Sequence, residues 1–163
     1  MMSKKQRTEG GVSAYDAALA YLTPKARTVR EVELKLDEGN YSEGEIMLVT
    51  ERLISAGLLN DERYARDFVS SWLATKPVSR FRLEEQLRGH YVPADVIETV
   101  LGELASETER ENAVAVAKKY LRQFASIEDE QEKLRRVYTR LRTRGYEHEV
   151  IMQAISEAKD GEQ

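Results

Sequence analysis

Val137-Tyr138-Thr139-Arg140-Leu141-Arg142-Thr143-Arg144-Gly145-Tyr146-Glu147-His148-Glu149-Val150-Ile151 carries apolar residues at positions 137, 141, 146 and 151. Two residues four apart lie on one helix face. A short turn follows, its apolar residue fills the gap, and the next helix opens with a core-facing isoleucine. This is one helix–turn–helix corner. The same steps of four, five and five occur in Val32, Leu36, Tyr41, Ile46 and again in Leu83, Leu87, Val92, Ile97. Leu36 to Leu87 is 51 residues and Leu87 to Leu141 is 54. A period of about 50 residues signals tandem units. Each corner is preceded by another helix, so the unit is three helices. The expected fold is all-α: tandem three-helix repeats, three units and about nine helices, in an elongated, curved arrangement.

Helix starts are marked by an N-cap hydroxyl with an acid three residues on. The pattern occurs at Ser13/Asp16, Thr28/Glu31, Ser42/Glu45, Ser106/Glu109 and Ser126/Asp129. Asn60 or Asp61 suits another cap, Ser79 a further one, and Pro93 a first helical turn. Glycine stops fit near Gly39, Gly57, Gly89 and Gly145. These signals predict helices near 14–22, 29–38, 43–56, 62–75, 80–89, 94–105, 107–125, 127–144 and 147–158. The organisation expected is a disordered tail over 1–12, repeats over 13–57, 58–105 and 106–158, and a second disordered tail over 159–163.

Composition excludes several functions. The chain has 163 residues, no Cys and two His, His90 and His148. A disulfide scaffold, a thiol enzyme and a Cys-ligated zinc module are ruled out. No apolar run approaches the roughly 20 residues of a membrane helix. The segment Met1 to Arg7 is positively charged with no apolar stretch after it, unlike a secretory signal. A cytoplasmic protein is expected. There is no Gly-rich phosphate loop, nucleophile elbow or metal-ligand spacing, so neither an enzyme nor a cofactor is expected. His90 and His148 read as turn or surface residues.

The most specific stretch is Leu58-Leu59-Asn60-Asp61-Glu62-Arg63-Tyr64-Ala65-Arg66-Asp67-Phe68-Val69. It is a loop, an acidic cap that suits the helix dipole, and a helix with Tyr64, Phe68 and Trp72 as a core-packing aromatic seam. Before it lies the corner from Glu31-Val32 through Lys35-Leu36 to Asn40-Tyr41, and after it Arg80-x-Arg82-Leu83-x-x-Gln86-Leu87. Together these stretches resemble the RecX family over about residues 14–158. The resemblance implies a non-catalytic regulator of the RecA recombinase. Such proteins lie in the groove of the RecA–single-stranded DNA filament, bridge protomers, and lower ATPase, strand-exchange and coprotease output. DNA, single- or double-stranded, is the second partner considered, and a monomer is expected.

Charge locates the candidate contacts. The formal net charge is −4, distributed as +3, −6, 0 and −1 over residues 1–29, 30–62, 63–106 and 107–163. Residues 133–144 nevertheless contain six cations and no acid. On a helical wheel Lys133, Arg136, Arg140 and Arg144 form one stripe, with Arg135 and Arg142 across the apolar seam. Lys118, Lys119 and Arg122 add charge on the preceding helix, and Arg80 and Arg82 are a further pair. Charge of this kind sets approach rate, register and partner choice; charge runs are also ordinary solvated helix faces. The competing expectation is a direct DNA-binding helical protein that uses the basic third repeat. The acidic total argues against DNA as sole ligand.

Overall fold

The computed structural model describes residues 11–104 and 106–161. Among these residues there are nine α-helices and no strand: α1 (Ala14–Leu22), α2 (Val29–Glu38), α3 (Glu43–Ser55), α4 (Asp61–Thr75), α5 (Arg80–Gly89), α6 (Ala94–Gly102), α7 (Ser106–Gln123), α8 (Glu130–Thr143) and α9 (His148–Asp160). Of the tails expected over 1–12 and 159–163, residues 1–10 and 162–163 lie outside the described residues. Helix α9 runs two residues past the boundary read at 158.

The caps do most of the punctuation. Thr28/Glu31 and Ser42/Glu45 form reciprocal capping boxes, and Ser13, Asn60 and Ser79 cap α1, α4 and α5. Two caps differ from their sequence reading. Ser106 is the first residue of α7 rather than its N-cap, and Glu109 accepts instead from the amide of Arg80. Asp129, not Ser126, caps α8, accepting from the amides of Gln131 at 3.0 Å and Glu132 at 3.4 Å. A carboxylate serves two orphan amides at once, and it favours the positive end of the helix dipole.

The three ladders are buried in full. Leu36, Leu87 and Leu141 are at most 1% exposed, and the other nine ladder residues at most 8%. They nucleate three separate apolar cores, one for each helix triplet. Extensive helix–helix packing stays within a triplet, so each repeat holds its own fold and the repeats meet only at narrow joints. The plug of the third core, Tyr146, is wholly buried. Burial, then the nearby Glu109 carboxylate, pushes its phenol up to about 12, against a smaller opposing pull from Arg144. An unfolded tyrosine titrates near 10. The folded form therefore holds this proton more tightly, and its contribution to stability is complete below pH 10 and lost as pH rises from 10 to 12. The loss amounts to about 2–3 kcal/mol. Denaturant titrations at pH 9 and pH 12 should show a smaller alkaline loss of stability in Tyr146→Phe than in the parent chain.

The corners share one backbone pattern. The amides of Tyr41, Val92 and Tyr146 donate to the carbonyls of Leu36, Leu87 and Leu141 at 3.2, 3.1 and 3.3 Å. This is a Schellman closure, and it requires a left-handed residue just before the plug. That residue is Asn40 (φ 64°), Tyr91 (φ 63°) and Gly145 (φ 94°). Gly39 and Gly89, read from sequence as the stops, sit one and two residues too early for that role. A bulky residue at positive φ costs about 1–2 kcal/mol, and Tyr91 is half exposed, so little core packing offsets the strain. Tyr91→Gly should raise stability by about 1 kcal/mol, measured as an upward shift of the denaturation midpoint.

Both joints use the same pair of hydrogen bonds. The Thr28 hydroxyl donates to the carbonyl of His90 at 2.8 Å, and the Ser79 hydroxyl donates to the carbonyl of Arg144 at 2.7 Å. The first amide of α2, at Val29, donates to the Asp61 carboxylate at 2.9 Å, and the first amide of α5, at Arg80, donates to the Glu109 carboxylate at 3.1 Å. In each case the N-terminus of a middle helix meets the C-terminus of the next repeat's middle helix. Orphan donors and acceptors satisfy one another there, and the facing dipole ends attract. Thr28 and Ser79 are buried at 0% and 1% exposure. Helix α8 spans 14 residues against 10 in α2 and α5.

Candidate partner-binding surface

The nine basic residues singled out by sequence have different fates in the fold. Arg80 is consumed by the second joint: its guanidinium donates to the carbonyl of Leu104 and lies 3.8 Å from the Glu109 carboxylate. Lys133 pairs with Glu130 at 3.0 Å, and Arg136 with Glu132 at 2.9 Å. The acids lie three and four residues N-terminal on the same helix, a spacing that favours pairing. Half of the stripe on α8 is thus neutralised by its own helix. Lys118 lies by Gly161 at the end of α9, away from the stripe. Arg122 is exposed on the last turn of α7.

The other half of the stripe stays cationic. Arg140 is exposed, with its guanidinium 5.7 Å from the ring centre of Tyr120 and 5.9 Å from that of Phe124. Arg144 donates to the Tyr120 hydroxyl at 2.9 Å and lies 5.4 Å from the ring. Lys119 approaches the same ring at 5.4 Å. Tyr120 and Phe124 stack at 5.9 Å and form the apolar floor beneath these three cations. The Arg144 hydrogen bond, with the charges of Arg144, Lys119 and Arg140, pulls the Tyr120 phenol below its usual value despite burial. Among the described residues no carboxylate pairs with Lys119, Arg140 or Arg144. Guanidinium groups resting on aromatic rings keep their positions without losing their charge to a carboxylate.

This cationic face crosses the second joint. Arg144 also lines a cleft of about 290 Å³ with Trp72, Lys76, Ser79, Arg82 and Gln86. Arg82 donates to the carbonyl of Thr143 at 3.1 Å, which fixes it across the joint. The structure therefore brings Arg82, Lys119, Arg140 and Arg144 together and leaves Arg80, Lys118, Lys133 and Arg136 outside the acid-free patch. Sequence reasoning missed Lys76 as a contributor and read Trp72 only as core. Trp72 does pack against the second core, but it also forms a wall of the cleft. The signal available in sequence was weak, because the cleft walls come from positions about 70 residues apart.

No group of three or more Asp, Glu, His or Cys among the described residues is placed to hold a metal ion. No described helix is long and apolar enough to cross a membrane.

Known proteins share this organisation. Family models for the first, second and third three-helix domains of RecX match residues 14–53, 60–101 and 107–155. The chain is 30% identical over 144 residues to a regulatory protein RecX of Prosthecochloris aestuarii, covering 88% of this chain and 92% of the relative. It is 32% identical over 140 residues to that of Trichlorobacter lovleyi, covering 85% and 91%. The crystal structure of RecX from Lactobacillus salivarius superposes with a TM-score of 0.84 at 26% identity, over 90% of this chain and 94% of the other.

Proposed function

Because this chain belongs to the RecX family of regulatory proteins, we propose that it binds the groove of the RecA–single-stranded DNA filament and lowers the recombinase's ATPase, strand-exchange and coprotease output. It acts in the cytoplasm, as a monomer and without catalytic chemistry of its own. One observation carries this reading. A cationic face, in which Lys119, Arg140 and Arg144 have no carboxylate partner among the described residues, spans the joint between the second and third repeats, and the acidic first repeat lies at the other end of the chain. Modules tied at fixed joints present both surfaces at once. Contacts to successive protomers then reinforce one another through effective concentration, even where each patch binds weakly. Occupation of the groove competes with duplex DNA and with repressor substrate.

The test is purified RecA hydrolysing ATP on single-stranded DNA, with this chain titrated in. A saturable fall in hydrolysis supports the reading. Unchanged hydrolysis, with no binding of the chain to coated strands in sedimentation, overturns it. A direct comparison of affinity for bare and RecA-coated single strands at physiological salt should favour the coated strand. Tighter binding to bare DNA would instead make DNA the main target.

A further inference from the structure

The cleft at the second joint has a composition that recognition of a protein surface does not require. Three cations, Lys76, Arg82 and Arg144, meet a Trp in a cavity of about 290 Å³ whose lining contains no carboxylate. The walls are held in place. The Ser79 hydroxyl accepts from the amide of Arg82 at 3.1 Å and donates to the carbonyl of Arg144 at 2.7 Å. Arg82 is anchored on Thr143 at 3.1 Å, and Arg144 on Tyr120 at 2.9 Å. The Trp72 indole is fixed by Phe68, stacked at 5.1 Å with an interplanar angle of 25°. The Lys76 ammonium lies 5.4 Å from the indole ring. Lys76 is exposed and has no carboxylate partner among the described residues.

We propose that this cleft binds one nucleotide unit, its phosphate against Lys76, Arg82 and Arg144 and its base stacked on Trp72. A carboxylate peptide would satisfy the cations and leave the indole unused. A nucleotide uses both, since every base presents a flat face to an aromatic ring and each phosphate carries a full charge. The volume lies at the small end of ligand pockets, which suits one nucleotide rather than a longer segment. The unit can come from a free mononucleotide or from a single strand threading the joint. Binding at this cleft is a property of the chain alone and is measured without the recombinase, although Arg82 and Arg144 also belong to the cationic face on which the proposed function rests.

Trp72 is the only Trp in the chain, so its fluorescence reports on the cleft directly. The full chain, without recombinase, is titrated with thymidine monophosphate, with an oligothymidylate of about ten nucleotides, and with a glutamate-rich peptide of similar charge. Saturable quenching by either nucleotide ligand is expected. Quenching by the monophosphate assigns the free nucleotide as a source, and quenching by the oligonucleotide alone assigns a strand. For a strand, the single bound phosphate sets a salt slope of about −0.7, so affinity should fall about two- to threefold between 50 and 200 mM salt. Lys76→Glu should weaken binding about tenfold, with the helical circular dichroism unchanged. Trp72→Leu keeps an apolar side chain against Phe68 and removes the stacking plane. Followed by anisotropy of a labelled oligonucleotide, it should also lose about tenfold. The proposal is overturned by an absence of quenching with both nucleotide ligands. It is also overturned by equal quenching from the glutamate peptide, or by full affinity in both variants. Inhibition of the recombinase is read in the separate ATPase assay, so failure of nucleotide binding and failure of inhibition are told apart.

Discussion

Gly145→Ala is expected to destabilise the third repeat, together with its joint to the second, by about 2–3 kcal/mol. Two costs add at this residue. Its φ of +94° lies in the left-handed region, where any Cβ is strained by about 1–2 kcal/mol. The added methyl would also sit 2.7 Å from the Ser79 hydroxyl oxygen and 3.1 Å from Phe81 Cδ1. That hydroxyl is buried and ties the joint to the Arg144 carbonyl, so the repeats must move apart and forfeit a hydrogen bond worth about 1 kcal/mol. Gly57→Ala is the matched control. Its φ is +76°, but nothing lies within 4 Å of the added methyl, so it bears only the backbone strain. Calorimetry on both variants separates the two costs. Because each repeat has its own core, Gly145→Ala should split off an earlier transition for the third repeat, whereas Gly57→Ala should not. Equal melting behaviour in the two variants would show that the Ser79 contact contributes nothing to the coupling.

The joint that this substitution probes was hidden in the sequence for a specific reason. Thr28 and Ser79 are legible as helix caps, because a hydroxyl before an apolar-periodic run has an obvious local task. Their second hydrogen bonds, to carbonyls 62 and 65 residues away, depend on how the repeats abut, and no local pattern encodes that. The corners behave differently. Four apolar positions at fixed steps leave one way to close a helix–turn–helix core, so all three ladders were readable and all twelve residues are buried. The left-handed turn residues were only half legible, since Asn40 and Tyr91 lack the glycine that usually marks the position.

The charge pattern was readable in outline and misleading in detail. A count that starts at residue 133 omits Glu130 and Glu132, one turn earlier on the same helix, and these neutralise Lys133 and Arg136. Helical spacing alone could have found those pairs. No spacing rule could have found the convergence of Lys119, Arg140 and Arg144 on Tyr120, or that of Lys76, Arg82 and Arg144 on one cleft, because both depend on packing between helices or repeats.

That distinction sets the second large effect. The double variant Lys119→Glu/Arg140→Glu should raise the concentration needed for half-inhibition of RecA ATPase about a hundredfold, or about 2.7 kcal/mol. Both residues are exposed, and neither carries a hydrogen bond that the fold needs, so helicity and melting should be preserved. The comparison variant is Lys133→Glu/Arg136→Glu. It changes net charge by the same amount, but at residues already engaged with Glu130 and Glu132, and the ion pairs it removes are worth only a few tenths of a kcal/mol each. If a localised surface reads the partner, the first pair should abolish inhibition in the working range and the second should shift it much less, since Lys133 and Arg136 are already engaged with Glu130 and Glu132. If both pairs shift inhibition equally, overall charge governs the encounter and the Tyr120 patch has no special part in it. If neither does, the cationic face lies outside the contact and the acidic first repeat, through residues such as Glu33 and Glu51, becomes the surface to reverse next.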